Sequence, residues 1–321
     1  MMRVLVTGAF GNVGWSALVE LLAQGHRVSA FDLRGRAARR AARRCGDRVE
    51  VLWGDLRNPV DLARAVANVD AVAHIAFVIP PESERRPEWA REINVTGTHN
   101  LIAAMRALPR PPRLIFTSSV SVAGPRGPED EPPVTAAHPT KASDTYSAHK
   151  IETEEMVRES GLDWTILRLG GVLAVELPKR FHPMTFDVPE DQRIEVVHTR
   201  DVGLAVANAV SCDEALGRTL LIGGGESCRL RVGEMRTGFA ELLGMPTFPA
   251  SAFSRQPYYT DFMDTAEAQR LLRFQRHGFA DYLQDLRPTV PRLYPIVMRR
   301  FGGLIMRQLL KRSPHHRTSL E

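Results

Sequence analysis

The feature that most constrains this chain lies near its start, where Met2 to Gly14 reads M-R-V-L-V-T-G-A-F-G-N-V-G. Val4, Leu5 and Val6 form a short apolar run of the kind a parallel sheet buries on both faces. The run breaks at Gly8, and glycines recur at Gly11 and Gly14. Val13, Leu18, Leu21 and Leu22 then repeat with helical period as far as Gly25. Strand, glycine turn and helix start together make an anion site. The first N–H groups of a helix lack backbone partners, the dipole is positive there, and glycines let a phosphate approach the main chain. The next strand, Val28 to Phe31, ends in Asp32, where a carboxylate takes both hydroxyls of an adenosine ribose. The pair of signals points to a bound dinucleotide, against the competing reading of a tight turn that binds nothing. Asp32 favours NAD because its charge repels a 2′-phosphate; Arg34 and Arg36 lie near enough to leave room for NADP.

Strand and helix patterns then alternate along the chain. Val49–Trp53, Ala71–Ile75, Leu114–Thr117 and Trp164–Leu169 read as strands. Helices are expected at Val60–Val69, from about Pro87 to Leu108, and at Ser143–Ser160. This order predicts an α/β fold with an open, doubly wound parallel sheet, its ligands lying beyond the carboxyl ends of the strands. Leu173 to Gln192 has no clear period. Further strands follow at Glu195–His198 and Arg218–Ile222 around an apolar helix at Val202–Val210, and helices dominate after Gly223-Gly224-Gly225. The expected division is a dinucleotide-binding domain over 1–172 plus 193–222. A smaller, mostly helical substrate lobe takes 173–192 plus 223–321.

Composition narrows the partners. The net charge of +5 raises nucleic acid, but 38 of the 42 cations are Arg scattered along the chain. The densest run, Arg34 to Arg44, falls on one short Ala-rich helix without aromatic neighbours to stack bases, so nucleic acid is not an expected partner. No run of 18 or more apolar residues is present and Met1–Arg3 leads straight into a strand, so neither a span nor a signal peptide is expected. Three scattered cysteines, Cys45, Cys212 and Cys228, fit a reducing cytoplasm and make neither a disulfide framework nor a zinc site.

The chemistry centres on Tyr146-Ser-Ala-His-Lys150. Residues four apart share a helix face, and an ammonium beside a phenol favours the phenolate, which makes a general acid/base for a hydroxyl or carbonyl. Five Tyr and four Lys in 321 positions would meet at this spacing by chance only about 0.06 times, so a plain surface helix is the weaker reading. Ser119, just beyond the strand ending at Thr117, is placed to hydrogen-bond the same substrate oxygen.

Taken together, Thr7-Gly8-Ala-Phe-Gly11-Asn-Val-Gly14, Asp55-Leu56, His74-Ile-Ala76, Asn94-Val-Thr-Gly97-Thr98, Ser118-Ser119 and Tyr146-x-x-x-Lys150 resemble the extended short-chain dehydrogenase/reductases. More closely they resemble the NAD-dependent epimerase/dehydratase family, over about residues 2 to 225. The resemblance implies a Rossmann-type domain and an enzyme that moves hydride between nicotinamide and a carbinol carbon. It implies that Gly8, Phe10, Gly11, Asn12, Val13 and Gly14 hold the pyrophosphate and Asp32 the ribose. Asp55 and Leu56 would flank the adenine, and Ile75, Ala76 and Asn94 would line the cofactor channel. Tyr146 would be the acid/base, Lys150 its partner on the nicotinamide ribose, and Ser119 the steadying hydroxyl. Two departures narrow the substrate. Val120-Ser121 stands where dehydratases carry Asp-Glu, and Gly171 stands where sugar epimerases carry Asn. Net oxidation or reduction of a secondary alcohol or ketone on a less polar substrate is therefore expected. A nucleotide-sugar epimerase is the alternative, and a non-catalytic dinucleotide sensor the alternative outside enzymes.

Other residues carry less. His74 at a strand end reads as structural, His149 points about 100° from Lys150 around the helix, and His315-His316 lacks a spaced metal partner. Val290 to Arg312 mixes Leu, Ile, Met and Phe with Arg. A helix here is expected to close the pocket or pack on a partner subunit in a homodimer, ahead of contact with a membrane surface. The terminal Leu320-Glu321 reads as an expression-vector remnant.

Overall fold

A computed structural model describes residues 1–177 and 181–316. Strand β1 (Arg3–Thr7) leads through the glycine turn into α1 (Asn12–Ala23), followed by β2 (Arg27–Asp32), α2 (Arg36–Cys45), β3 (Val49–Trp53) and α3 (Pro59–Val66). The second half begins with β4 (Ala71–His74), the short helices α4 (Glu82–Arg85) and α5 (Pro87–Arg91), a π-turn at Glu92–Thr96, and α6 (Gly97–Arg106). Next come β5 (Arg113–Ser119), α7 (Thr145–Arg158), β6 (Trp164–Leu169), β7 (Gly171–Leu173), β8 (Arg193–His198), α8 (Thr199–Ser211), β9 (Arg218–Ile222) and β10 (Arg229–Arg231). Helices α9 (Val232–Leu243), α10 (Ala266–Leu272), α11 (Phe279–Leu286) and α12 (Tyr294–Leu310) complete the chain.

Seven strands pair in the order β3-β2-β1-β4-β5-β6-β9, every neighbour parallel. The apolar runs are explained by cover on both faces. Val4 and Val6 pack with Ala17, Leu18 and Leu21 of α1 and Val202 to Val210 of α8, while Leu5 faces the other way. There it meets Leu62 of α3, Leu101 and Met105 of α6, and Val157 of α7. The strand order reverses between β1 and β4. That junction opens a crevice at the carboxyl ends, directly beneath the glycine turn.

Three expectations change. The helix expected from Pro87 to Leu108 is interrupted by the π-turn, whose Asn94 is drawn inward to the chain after β4. The strand at 193–198 does not extend the main sheet. It lies between β7 (parallel) and β10 (antiparallel) in a separate three-stranded sheet, and β9 takes the place beside β6. Its buried Glu195 accepts from Arg229 Nε of β10 at 2.9 Å, a polar contact that strand propensity does not encode. The arginine run on α2 has an aromatic neighbour after all, since the Arg44 guanidinium lies 4.6 Å over the Trp15 ring of α1. Around the small sheet stand α9 and α11, with α12 packed on α9, and nearby lies a cluster of Phe181, Phe186, Phe248 and Phe253. Part of the aperiodic 173–192 segment, residues 178–180, and the terminal Leu320-Glu321 lie outside the described residues.

Candidate active site

A cleft of about 950 Å³ runs from the glycine turn across the ends of β1, β4, β5 and β6 to α9 and the Tyr258–Thr260 segment. The glycine turn is built for close contact. Gly8 adopts φ +64°, and a Cβ on Gly14 would stand 2.1 Å from the Gly8 carbonyl oxygen, so α1 begins with its backbone pressed onto the turn. Gly11 N–H donates to Gly8 O at 3.0 Å. The Asp32 carboxylate accepts from Phe10 N–H at 2.9 Å and Leu33 N–H at 2.8 Å. Burial raises its pKa and these two N–H groups act against the rise. Each oxygen keeps lone-pair capacity for a ribose hydroxyl. Across the cleft Asp55 is gripped by Arg57 (2.7 Å), whose hydrogen bonds hold its carboxyl below the usual range.

The reacting groups converge from two elements. Asp144 caps α7 by accepting from Ser147 N–H at 2.7 Å, and Glu84 of α4 accepts from the free N–H groups of Thr145 (3.1 Å) and Tyr146 (3.2 Å). So fixed, α7 presents Tyr146 and Lys150 to the end of β5. Lys150 Nζ donates to Thr117 O at 2.6 Å and sits 3.4 Å from the centroid of the Phe77 ring. Burial draws its pKa well below the usual lysine value, and Glu154 acts in the opposite direction. Ser119 Oγ accepts from both Ser121 N–H (3.2 Å) and Ser121 O–H (2.9 Å). Its own hydrogen is therefore directed elsewhere, and Tyr146 faces it.

The phenol itself differs from the sequence expectation. Burial pushes Tyr146 up to about 12, the Ser119 hydrogen bond lowers it, and Asp144 adds to the rise. The Lys150 ammonium does not depress it in this state because it rests on Phe77, with its Nζ 5.8 Å from the tyrosine ring centroid.

The cleft wall contains Gly8, Gly11, Asn12, Val13, Gly14, Asp32, Asp55, Leu56, Ile75, Ala76, Ser119, Tyr146 and Lys150. Three expected residues stand apart from it. Asn94 is fully buried behind the wall, accepting from Val78 N–H at 2.7 Å and donating to Val78 O at 3.0 Å, so it braces the channel and does not line it. The Phe10 ring packs on Trp53 (centroids 5.7 Å) and only its N–H belongs to the site. Arg34 is exposed and off the cleft, because the chain turns outward after Asp32. His149 is buried and likewise off the cleft.

His74 is structural in detail. Thr7 Oγ1 accepts from Ile75 and Ala76 N–H, so it donates to His74 Nδ1 at 2.8 Å. Thr98 Oγ1 donates to Asn94 O, so His74 Nε2–H donates to it at 2.9 Å. Burial drops the imidazole pKa to about 3.

The far end of the cleft escaped sequence reasoning. It is walled by Val172, Val188, Ile194, Met235, Phe239 and the stacked Tyr258 and Tyr259, whose hydroxyls are 2.6 Å apart. Lys150 and Arg236 are the two cations of the cleft wall among the described residues. Arg236 is already engaged: it pairs with Glu190, donates to Thr185 O (2.7 Å) and Val188 O (2.9 Å), and lies 3.8 Å over Phe253. These residues come from four separate segments, and no motif links them. Phe77 was within reach of the sequence, three residues past His74 at a strand end.

An open parallel sheet with a glycine turn beneath its switch point, and a Ser, Tyr and Lys set at the end of β5 and on α7, is the architecture of the short-chain dehydrogenase/reductases. Within that class the chain belongs to the NAD dependent epimerase/dehydratase family, whose profile matches residues 4–186, more than half of the chain. It is 32% identical over 162 residues to the 3-beta-hydroxysteroid dehydrogenase of Mycolicibacterium neoaurum, covering 48% of this chain and 42% of that protein. It is 33% identical over 179 residues to UDP-glucose 4-epimerase 4 of Oryza sativa subsp. japonica, covering 52% of this chain and 47% of that one. The match thus spans less than half the length of these two curated relatives. The UDP-glucose-4-epimerase of Stenotrophomonas maltophila, solved with bound NAD and formylated UDP-arabinopyranose, superposes with a TM-score of 0.77 over 94% of this chain and 99% of its own, at 24% identity. The UDP-glucuronic acid 4-epimerase of Bacillus cereus superposes at 0.76 over 91% and 100%, at 18% identity. At these identities the structural likeness speaks for the fold.

Proposed function

We propose that the chain binds NAD across the crevice and oxidises or reduces a secondary alcohol or ketone of largely apolar character. The observation that carries this choice is the far end of the cleft. A nucleotide sugar needs free cations or amides for its diphosphate, whereas among the described residues the one arginine of this wall is already paired and the walls are Val, Ile, Met, Phe and Tyr. Gly171, where sugar epimerases carry Asn, supports the same reading, since it brings no amide to the cleft wall.

The cofactor fits the residues present. The tight glycine turn leaves the first N–H groups of α1 open to a pyrophosphate, and Asp32 offers two carboxylate oxygens to a ribose while opposing a 2′-phosphate. When bound, the nicotinamide supplies or accepts the hydride. Everything else falls to the chain. Ser119, whose hydrogen points toward Tyr146, and Tyr146 itself would share the substrate oxygen, the serine turning its hydrogen from the phenol to that oxygen as substrate enters. In reduction Tyr146 passes its proton to that oxygen as the carbinol C–H bond forms. In oxidation it takes the hydroxyl proton as that bond breaks. A phenol at about 12 is protonated at neutral pH, so the site stands ready as the proton donor that the reductive direction needs. Among the described residues, buried Lys150, anchored on Thr117 O, is the one lysine of the cleft wall. The free thiols of Cys45, Cys212 and Cys228 support a reducing cytoplasm as the compartment.

The test is a substrate panel with the purified chain. Ketones and secondary alcohols are followed at the nicotinamide absorbance with NADH, NADPH and their oxidised forms, and nucleotide sugars are followed for isomerisation. Net turnover on apolar ketones with tighter NADH binding is expected. Isomerised sugar without net cofactor change would overturn the reading in favour of an epimerase. Tighter NADPH binding would overturn the cofactor preference.

A further inference from the structure

Helix α12 turns apolar side chains to both sides. Met298, Gly302 and Met306, spaced by four, are buried on the side that packs toward α9. On the other side Ile296, Val297, Phe301 and Leu304, with Leu293 just before the helix, are between 47% and 71% exposed. At 100° per residue, Val297, Phe301 and Leu304 form one stripe, and Arg300, Arg307 and Lys311 run along its edge. From Arg287 to His316 the sequence has seven Arg and Lys and no carboxylate. All seven are exposed, and none pairs with a carboxylate among the described residues. A contiguous exposed apolar stripe marks an interaction surface, and its charge selects the partner.

We propose that α12 seats this chain on an anionic lipid surface, with the apolar stripe in the headgroup boundary and the cations toward lipid phosphates. No helix among the described residues is long and apolar enough to cross a membrane, and α12 carries three arginines, so it lies on the surface. A second copy is a poor occupant of this face. Two such faces would bring cations against cations with no carboxylate between them. Helix α2 is the internal contrast: with five arginines it is more basic than α12, yet it presents no exposed large apolar residue. The proposal does not depend on which substrate the cleft takes. Its bearing on the cleft is geometric, because α12 packs on α9, whose Met235 and Phe239 wall the far end.

The experiment is co-sedimentation of the full chain with vesicles of phosphatidylcholine alone and of phosphatidylcholine mixed with phosphatidylglycerol, at low and physiological salt. Binding is expected to the mixed vesicles only. Arg300→Gln/Arg307→Gln should weaken it about 30-fold, and Phe301→Ser/Leu304→Ser should abolish it at physiological salt. Arg39→Gln/Arg43→Gln on α2 should leave it nearly intact. Circular dichroism and unchanged NAD binding establish that each variant is folded. Failure to bind mixed vesicles overturns the proposal, as does equal loss in the α2 variant, which would make the effect one of net charge. Sedimentation velocity showing a dimer that Phe301→Ser/Leu304→Ser dissociates would assign the face to a second copy and also overturn it.

Discussion

At Tyr146 a single oxygen carries the proposed proton transfer. Tyr146→Phe is expected to lower kcat by about 10²- to 10⁴-fold while NAD affinity, read by fluorescence titration, stays unchanged. Because burial holds the phenol at about 12, kcat/KM for alcohol oxidation should climb with pH through the neutral range, and ketone reduction should not. A flat oxidation profile would mean the proton leaves by another route. Ser121 acts through Ser119, donating to its Oγ at 2.9 Å and so orienting its hydrogen. Ser121→Ala should reduce kcat about two- to tenfold with little change in KM, the pattern of a positioning residue. Gly14→Ala forces a Cβ onto the Gly8 carbonyl, and calorimetry should show lost NAD binding with about 1–3 kcal/mol of destabilisation.

Among the elements, β4 and the π-turn show how a motif is absorbed by structure. His74 joins β1 to α6 through Thr7 and Thr98, and Asn94 fastens the chain after β4 through Val78. Both residues belong to the family pattern, yet they act one layer behind the cofactor channel. The buried His74 has its pKa lowered from 6.5 to about 3, so its contribution to stability is present above 6.5 and is lost as pH falls toward 3. In that window the unfolded chain binds one proton more, and stability should fall by about 1.4 kcal/mol per pH unit from this group. Urea midpoints of the parent and of His74→Gln across pH 4 to 7 check it: the variant should show a shallower acid slope by that amount. Helix α1 was readable from the glycines before Val13, and α7 as the span Ser143–Ser160. The Glu84 carboxylate on the first turn of α7 was not, because it arrives from 61 residues away.

The whole molecule is held across its two parts by buried charge. Asp261 accepts from Arg126 Nε at 3.2 Å and from Arg193 at 2.6 and 2.9 Å, which ties the loop after β5 to β8 and to the segment carrying Tyr258 and Tyr259. Asp261 is fully buried and both arginines nearly so, so Asp261→Asn leaves two guanidinium groups undercompensated. It should cost about 3–5 kcal/mol, read as a lower thermal midpoint, and it should loosen the far end of the cleft more than the glycine turn. Raised KM for substrate with NAD affinity kept would show that division.

What the sequence determined by itself is what lies close together along the chain or repeats at a fixed period. The strand–glycine–helix unit, the carboxylate ending β2, the Tyr146–Lys150 pair and the alternation of strands and helices are all signals of that kind, set by backbone sterics and by periods of two and 3.6. Only the tertiary structure decided that 193–198 leaves the main sheet, that Asn94 turns away from the cleft, and that Tyr146 is raised rather than lowered in pKa. It alone decided which side of α12 stays exposed and that Arg236 at the far end of the cleft is already paired. Periodicity reports which residues are apolar, but strand partners, burial of a charge and the occupation of a guanidinium depend on segments brought together from distant parts of the chain. Such contacts leave no trace at any one position.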